Sequence, residues 1–154
     1  MTAAEDIDGD GVNDLLHDNT DIMLTFSDDG GATWRVPLQV NDDNGLTPSS
    51  TGFATRNSQF FPTMSVDPIT GILHISWLDA RLDPNNQQVD VFYTTAVPDR
   101  ITGDLTFPNP NVRVTNIASN EAGGTRNPAF NLGDYCGIVV ANAIAHPVDR
   151  KSVV

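Results

Sequence analysis

The stretch S-D-D-G-G-A-T-W, residues 27–34, crowds acidic and hydroxyl side chains, two adjacent glycines and a tryptophan into eight positions. It can be read as an acidic catalytic or metal site, or as a well-made turn. The turn needs the simpler chemistry. Asp29 can accept backbone N–H groups across its own turn, as Asx side chains do. Gly30 and Gly31 permit positive φ. Trp34 can cover the turn with apolar area and still offer its indole N–H. No side chain has to titrate, so the stretch is expected to clasp a β-hairpin.

Outward from that turn, the chain reads as all-β. It has 154 residues, one domain's worth, with 39% apolar residues, two Trp and seven Phe to build a core. Helical periodicity is hard to find, and short β-rich runs alternate with Gly, Pro, Asn and Asp. Strands are expected at residues 22–26, 63–66, 72–78, 89–95, 112–115, 138–141 and 144–148. The turn D-P-I-T-G, residues 67–71, puts Pro where a type I or II turn takes it and closes on Gly. No run approaches the roughly 18 apolar residues of a membrane span. No basic and apolar leader opens the sequence. Twenty acidic residues against eight basic ones give a formal charge of -12. That balance argues against nucleic acid or an anionic membrane as partner, because phosphates need Lys and Arg. Cys136 is the single cysteine, which excludes an internal disulfide framework and a cysteine-based zinc site.

The sequence also repeats. T-R-N-S-Q-F, residues 55–60, recurs as T-R-N-P-A-F, residues 125–130. D-I-M-L-T-F-S, residues 21–27, resembles D-V-F-Y-T-T-A, residues 90–96, and G-A-T-W has an echo in D-L-T-F, residues 104–107. Both echoes lead into a short strand ending in Asn, Q-V-N and V-T-N. A period this long, holding about four strands, is the size of a propeller blade.

S-x-D-x-G-x-T-W is the Asp-box pattern, and the chain resembles the sialidase-like Asp-box (bacterial neuraminidase repeat) β-propellers. Ser27, Asp29, Gly31, Thr33 and Trp34 fill every defined position. F-F-P-T-M-S-V-D-P-I-T-G-I-L-H-I-S-W-L-D-A-R and G-D-Y-C-G-I-V-V-A-N look like inner strands of bacterial Asp-box proteins. The resemblance implies a partial propeller of about two to three blades of four-stranded antiparallel meanders. One whole blade would use residues 61–67, 72–79, 90–95 and 112–115 as strands A to D. Residues 21–26 and 39–41 would be strands C and D of the blade before it, and residues 135–141 strand A of the blade after it. Three regions follow: an acidic calcium-loop-like segment at 1–20, the propeller fragment at 21–148, and a tail at 149–154. In that tail the W-x-D-x-R pattern of the whole blade never arrives. D-R-K-S-V-V also reads as a translated sequencing adapter, so the tail is expected to be non-native.

In such a meander the A–B and C–D turns share one end, and the long B–C and D–A loops share the other. Long loops on a rigid scaffold usually carry function, so the site is expected at the end away from the Asp-box. Arg56 and Arg126 stand at equivalent T-R-N positions there, and Arg81, in W-L-D-A-R, starts a B–C loop. Converging guanidinium groups would bind a carboxylate bidentately. The resemblance implies an arginine cluster of this kind for an anionic, sialic-acid-like sugar in an exo-glycosidase. The family's N-terminal arginine motif and its Tyr/Glu pair cannot be assigned here. Asp134 and Tyr135 open an inner strand at the same end, and Asp79 stands as the neighbour with which Arg81 could instead pair. D-I-D-G-D-G-V-N-D, residues 6–14, offers Asp6, Asp8, Asp10 and Asp14 with the Val12 carbonyl to a hard cation, on the spacing of a calcium loop. His17 replaces the twelfth-position glutamate of an EF-hand. Calcium is thus the expected cofactor, in a structural role. The expected partners are a glycan or protein ligand and further blades, and the expected location is extracellular or on the cell surface. A non-catalytic binding propeller and a structural surface repeat protein are the alternatives to the hydrolase. His74 and His146 sit at matching strand positions and are expected to pack.

Overall fold

The computed structural model describes residues 20–43, 58–83, 88–99, 101–120 and 136–149. Among them every regular element is a β-strand, every pairing is antiparallel and no sheet closes into a barrel. In chain order the strands are β1 (Met23–Leu24), β2 (Leu38–Gln39), β3 (Gln59–Val66), β4 (Leu73–Asp79), β5 (Gln88–Pro98), β6 (Leu105–Thr106), β7 (Val112–Arg113), β8 (Ser119–Asn120), β9 (Cys136–Ala141) and β10 (Ile144–Asp149). The all-β expectation therefore holds.

The centre is the meander β3–β4–β5. Period-2 alternation decides its two faces. In β4, Leu73, Ile75, Trp77 and Asp79 point one way, and His74, Ser76 and Leu78 the other. From His74 to Asp79 every residue is buried, so both faces of this strand are covered. On the first face, Ile22 and Val40 from the β1–β2 hairpin pack on Ile75, Trp77, Phe92 and Ala96. Trp77 lies opposite Phe92 in the ladder, with stacked rings 6.4 Å apart. Burying a side chain of that size contributes on the order of 2–3 kcal/mol. On the second face, Leu78, Val89 and Val91 pack with Phe60 and Cys136, the latter from the β9–β10 hairpin. The result is three layers: hairpin, sheet, hairpin.

The outer edge of β5 carries three short strands in place of the expected single one at 112–115. Its C-terminal end pairs with β6, its middle with β7 and its N-terminal end with β8. Pro108 and Pro110 fall between β6 and β7, and proline cannot donate to a ladder. On the opposite edge, β3 shifts register between Phe60 and Thr63, where Phe61 sits at φ 52 ahead of Pro62. A bulge and a proline both blunt an exposed strand edge.

The repeat seen in the sequence is also a repeat of hydrogen bonds. Val40 N–H donates to the Ile22 carbonyl at 2.8 Å, and Val114 N–H to the Val91 carbonyl at 2.8 Å. Ile22 N–H donates to Asn41 Oδ1, and Val91 N–H to Thr115 Oγ1. Asn41 Nδ2 and Thr115 Oγ1 then each donate, at 2.7 Å, to the aspartate one residue before the facing Ile22 or Val91, Asp21 and Asp90. The β1–β2 hairpin is thus wired like β5 with β7.

The β9–β10 hairpin turns on two residues, Asn142 at φ 53 and Ala143 at φ 60. A two-residue loop with both φ positive matches the twist of the strands, and glycine is the residue it favours at the second place. Ala143→Gly is expected to stabilise the protein by about 0.5–1 kcal/mol, because it removes a Cβ from the left-handed region. A denaturant midpoint equal to or below that of the parent would contradict this.

Candidate functional site

The turns of the molecule separate to two ends. At one end lies the turn of residues 27–34. Ser27 Oγ donates to Asp29 Oδ1 at 2.8 Å and accepts from Gly31 N–H at 2.8 Å. Asp29 Oδ1 accepts Thr33 N–H at 2.9 Å, and its Oδ2 accepts the Thr33 hydroxyl at 2.6 Å. Gly30 and Gly31 have φ of 76 and 92. The Thr33 hydroxyl, its N–H and the Ser27 hydroxyl hold the Asp29 carboxyl well below the usual carboxylate range. Such an aspartate stays ionised and has no proton to give. Trp34 remains 64% exposed, so it shields the turn only in part.

Two further aspartate turns gather at this end. Asp67 accepts Ile69 N–H and the Thr70 hydroxyl, while its carbonyl accepts Gly71 N–H. Asp99 accepts Ile101 N–H and Thr102 N–H, and its carbonyl accepts Gly103 N–H. Gly71 and Gly103 have φ of 76 and 75. The second turn was legible as D-R-I-T-G, residues 99–103, the same pattern as D-P-I-T-G with Arg in place of Pro. Arg35 Nη2 pairs with Asp28 Oδ2 at 2.8 Å and its Nη1 reaches Asp104 Oδ1 at 3.9 Å, so the 27–34 turn stands beside this one.

The other end is built on W-L-D-A-R. Trp77 and Asp79 share a face of β4, and the indole N–H donates to Asp79 Oδ2 at 2.8 Å. Beyond the strand the chain turns on Asp79, whose Oδ1 accepts Arg81 N–H at 2.8 Å. The guanidinium then folds back. Its Nε and Nη2 meet Asp79 Oδ2 at 2.9 and 2.8 Å, and its carbon lies 4.4 Å from the centre of the Phe92 ring. Nη1 donates to Asp42 Oδ1 at 2.5 Å and Nη2 to Asn111 Oδ1 at 3.0 Å. Burial opposes the charge on Arg81, yet its bonds to Asp79 and Asp42 raise its pKa. Burial likewise opposes ionisation of Asp42, and the Asn111 N–H with Arg81 outweighs it and lowers that pKa.

Amides fill the space behind. Buried Gln59 Nε2 donates to Asp43 Oδ2 at 2.7 Å and to Asp79 Oδ1 at 3.3 Å. Asn41 Nδ2 donates to Asp43 Oδ1 at 2.7 Å and to the side-chain Oε1 of Gln59 at 3.2 Å. Asn111 N–H donates to Asp42 Oδ2 at 2.9 Å, and Asp42 N–H to Asn111 Oδ1 at 2.9 Å, which joins two segments distant in sequence. Neither these amides nor Asp42 was picked out from the sequence. Apart from the Asn41–Asp43 bond, their partners lie at least 16 residues away, and only the polar character of Asn41 beside a strand hinted at them.

Directly across the ladder from Asp79 stands Asp90, also buried. It has its own cation, Arg113 Nη2 at 2.8 Å, and the Thr115 hydroxyl. Each of the two carboxylates is matched to its own arginine. Beside the network a shallow groove of about 370 Å³ opens between Gln39 and Asp42 on one side and Phe107, Pro108 and Asn109 on the other.

The expected residues thus divide. Arg81 and Asp79 come together with each other, and the guanidinium is spent on protein carboxylates. Arg56, Arg126, Asp134 and Tyr135 lie outside the described residues, as do Asp6, Asp8, Asp10, Val12 and Asp14. Among the described residues no group of three or more His, Cys, Asp or Glu side chains is arranged to hold a metal ion. No described helix is long and apolar enough to cross a membrane. Comparison with protein-family models, with curated proteins and with solved structures finds no match.

Removing the Asp79 carboxylate leaves the half-buried Arg81 without its main partner. Asp79→Ala is expected to cost about 3–5 kcal/mol, the usual loss when one member of a buried pair goes. Arg81→Lys is expected to cost less but measurably, because an ammonium cannot reach Asp79 and Asp42 with a planar fork. Equilibrium unfolding of both variants checks the order; a nearly neutral Asp79→Ala would show that the clamp does not hold the fold.

Proposed function

We propose that this chain is part of an extracellular Asp-box β-propeller of the sialidase-like type. On this reading β3, β4, β5 and the broken outer strand form one blade, with half a blade on either side. The observation that carries it is the layering of a four-stranded meander between two hairpins, one of which repeats the wiring of β5 with β7. The Asp-box pattern on the turn of that same hairpin, β1–β2, adds to it. The ligand end is then the one opposite the aspartate turns. Arg56 and Arg126, with Asp134 and Tyr135, are its candidate contacts for an anionic sugar, and the activity is exo-glycosidase hydrolysis by the full-length parent.

A second reading has its own support. Arg81 donates to Asp79, Asp42 and Asn111, so it has little left for a ligand carboxylate. That favours a non-catalytic propeller that binds glycan or protein, steadied by calcium at residues 6–14. Fluorogenic sialoside assays decide between the two. The hydrolase reading expects turnover by the full-length protein, lost in Arg126→Ala, and none by the 154-residue chain. Absence of turnover in the full-length protein, with sialoside binding retained, selects the second reading. Calorimetric titration with calcium is expected to show a site that Asp10→Ala removes; unchanged binding would refute the ligand set.

A further inference from the structure

The turn D-x-I-T-G occurs twice, at residues 67–71 and 99–103. Its geometry accounts for three of its positions. The aspartate accepts N–H groups, the threonine hydroxyl accepts the N–H two residues on, and the glycine takes positive φ. The isoleucine gives the turn only its backbone N–H. Its side chain belongs to neither core cluster and is 81% exposed at Ile69 and 95% exposed at Ile101. Turn positions ordinarily take Gly, Pro, Asn, Asp or Ser. A β-branched apolar side chain held in water at the same place in two turns has no duty that the turn itself explains.

The turns adjoin. A Cβ placed on Gly71 would lie 3.7 Å from Pro98 Cγ, and one on Gly103 would lie 4.0 Å from Asp28 Oδ2. The 99–103 turn therefore has the 67–71 turn on one side and the 27–34 turn on the other, and the latter brings the exposed Trp34. Large apolar side chains gathered in water within a polar rim mark an interaction site. The rim here is acidic. The described residues among 27–35, 67–71 and 98–104 include Asp28, Asp29, Asp67, Asp99 and Asp104 against Arg35, which already pairs with Asp28. Counting Arg100 from the sequence still leaves an excess of acid. Hydrogen bonds from their own turns hold the Asp29, Asp67 and Asp99 carboxyls below their ordinary pKa, so their charge persists.

We propose that this end is a docking face for a basic protein segment, whose apolar side chains cover Ile69, Ile101 and Trp34 and whose lysines or arginines meet the surrounding aspartates. The charge chooses the partner. The acidic rim repels nucleic acid and anionic membranes, whereas one polypeptide segment supplies apolar side chains and cations together. The face is preorganised. Each turn is closed by its own hydrogen bonds, so little freedom is lost when a partner settles on it. Full burial of one isoleucine contributes on the order of 1.5–3 kcal/mol. The charges add to the rate of association and make it sensitive to salt. The turns alone carry this face, so it is independent of the sugar site at the opposite end and of the blade reading.

Tryptophan emission tests this directly, because Trp34 is exposed and Trp77, the other tryptophan, is buried. The probe is a capped peptide of alternating lysine and leucine, titrated into the 154-residue chain. Emission is expected to move to shorter wavelength as Trp34 is covered, and Trp34→Phe is expected to abolish that shift. A peptide with serine in place of leucine keeps the charge and is expected to bind at least about tenfold more weakly. The double variant Ile69→Ser with Ile101→Ser is expected to lose about tenfold in affinity while its denaturant midpoint stays that of the parent. If that variant does not fold, Ile101→Ser alone is read in the same way. No emission shift with the lysine–leucine peptide would overturn the proposal. Equal binding of the serine peptide, or undiminished binding by the isoleucine variant, would reduce the attraction to general charge and overturn it too. A shift with phosphatidylcholine vesicles and none with the peptide would assign the face to a bilayer instead.

Discussion

Asp79 and Asp90 face each other across β4 and β5, both buried, at the end of the most covered ladder in the molecule. Like charges directly opposite in a sheet repel, and a carboxylate out of water costs several kcal/mol unless it is paired. The chain meets that constraint by giving each aspartate its own arginine from beyond the strand that holds it. Arg81 turns back onto Asp79 from the next loop, and Arg113 reaches Asp90 from β7. Neutralising the two charges therefore fixes more than the charges. Arg113, with Thr115, holds the outer strand to β5. Arg81 goes on to Asp42 and Asn111, and so ties the segment leaving β2 to the segment entering β7. The Arg81 guanidinium over the Phe92 ring joins this polar end to the Trp77–Phe92 core. The layering of hairpin on sheet is locked at one end by apolar packing and at the other by this clamp.

The aspartate turns at the opposite end solve a different problem. Each connects two neighbouring strands and must satisfy its own N–H groups within a few residues. A short carboxylate does that locally, and a glycine at positive φ closes the circuit. The Asp29, Asp67 and Asp99 turns all follow this chemistry, and all three carboxyls are pulled below their ordinary pKa by hydrogen bonds from their own turns. One end of the sheet is thus held by local, self-contained turns and the other by contacts between segments far apart in the chain.

This division also explains what could be read from the sequence. The strands of the meander were legible because L-H-I-S-W-L-D and V-D-V-F-Y-T-T-A are long enough to show composition and alternation. The 27–34 stretch was legible as a turn because its partners lie within four residues of one another. The outer strand expected at 112–115 is present as β7, but β6 and β8 beside it were not legible, because strands of two residues are too short to carry a period. Asp79 with Arg81 was visible as a neighbour pair, but Gln59, Asn41 and Asn111 were not. Buried amides look like loop residues in a sequence, and nothing local says that their partners arrive from another hairpin.

Cations are the scarce resource of this chain, eight against twenty acids. The three arginines among the described residues, Arg35, Arg81 and Arg113, are each matched to an aspartate within 2.9 Å. The two at the polar end hold buried carboxylates, and drawing either away to a ligand would leave an unpaired charge inside the sheet. An anionic ligand would thus have to compete with the fold itself for Arg81. A site for such a ligand needs guanidinium groups that the sheet does not require. The basic residues outside the described ones are Arg56 and Arg126, each in a T-R-N triplet, with Arg100, Arg150 and Lys151. Of these, only Arg56 and Arg126 share a repeated position leading toward an inner strand. The scarcity of charge, more than any motif, directs the search for an anion site to that pair.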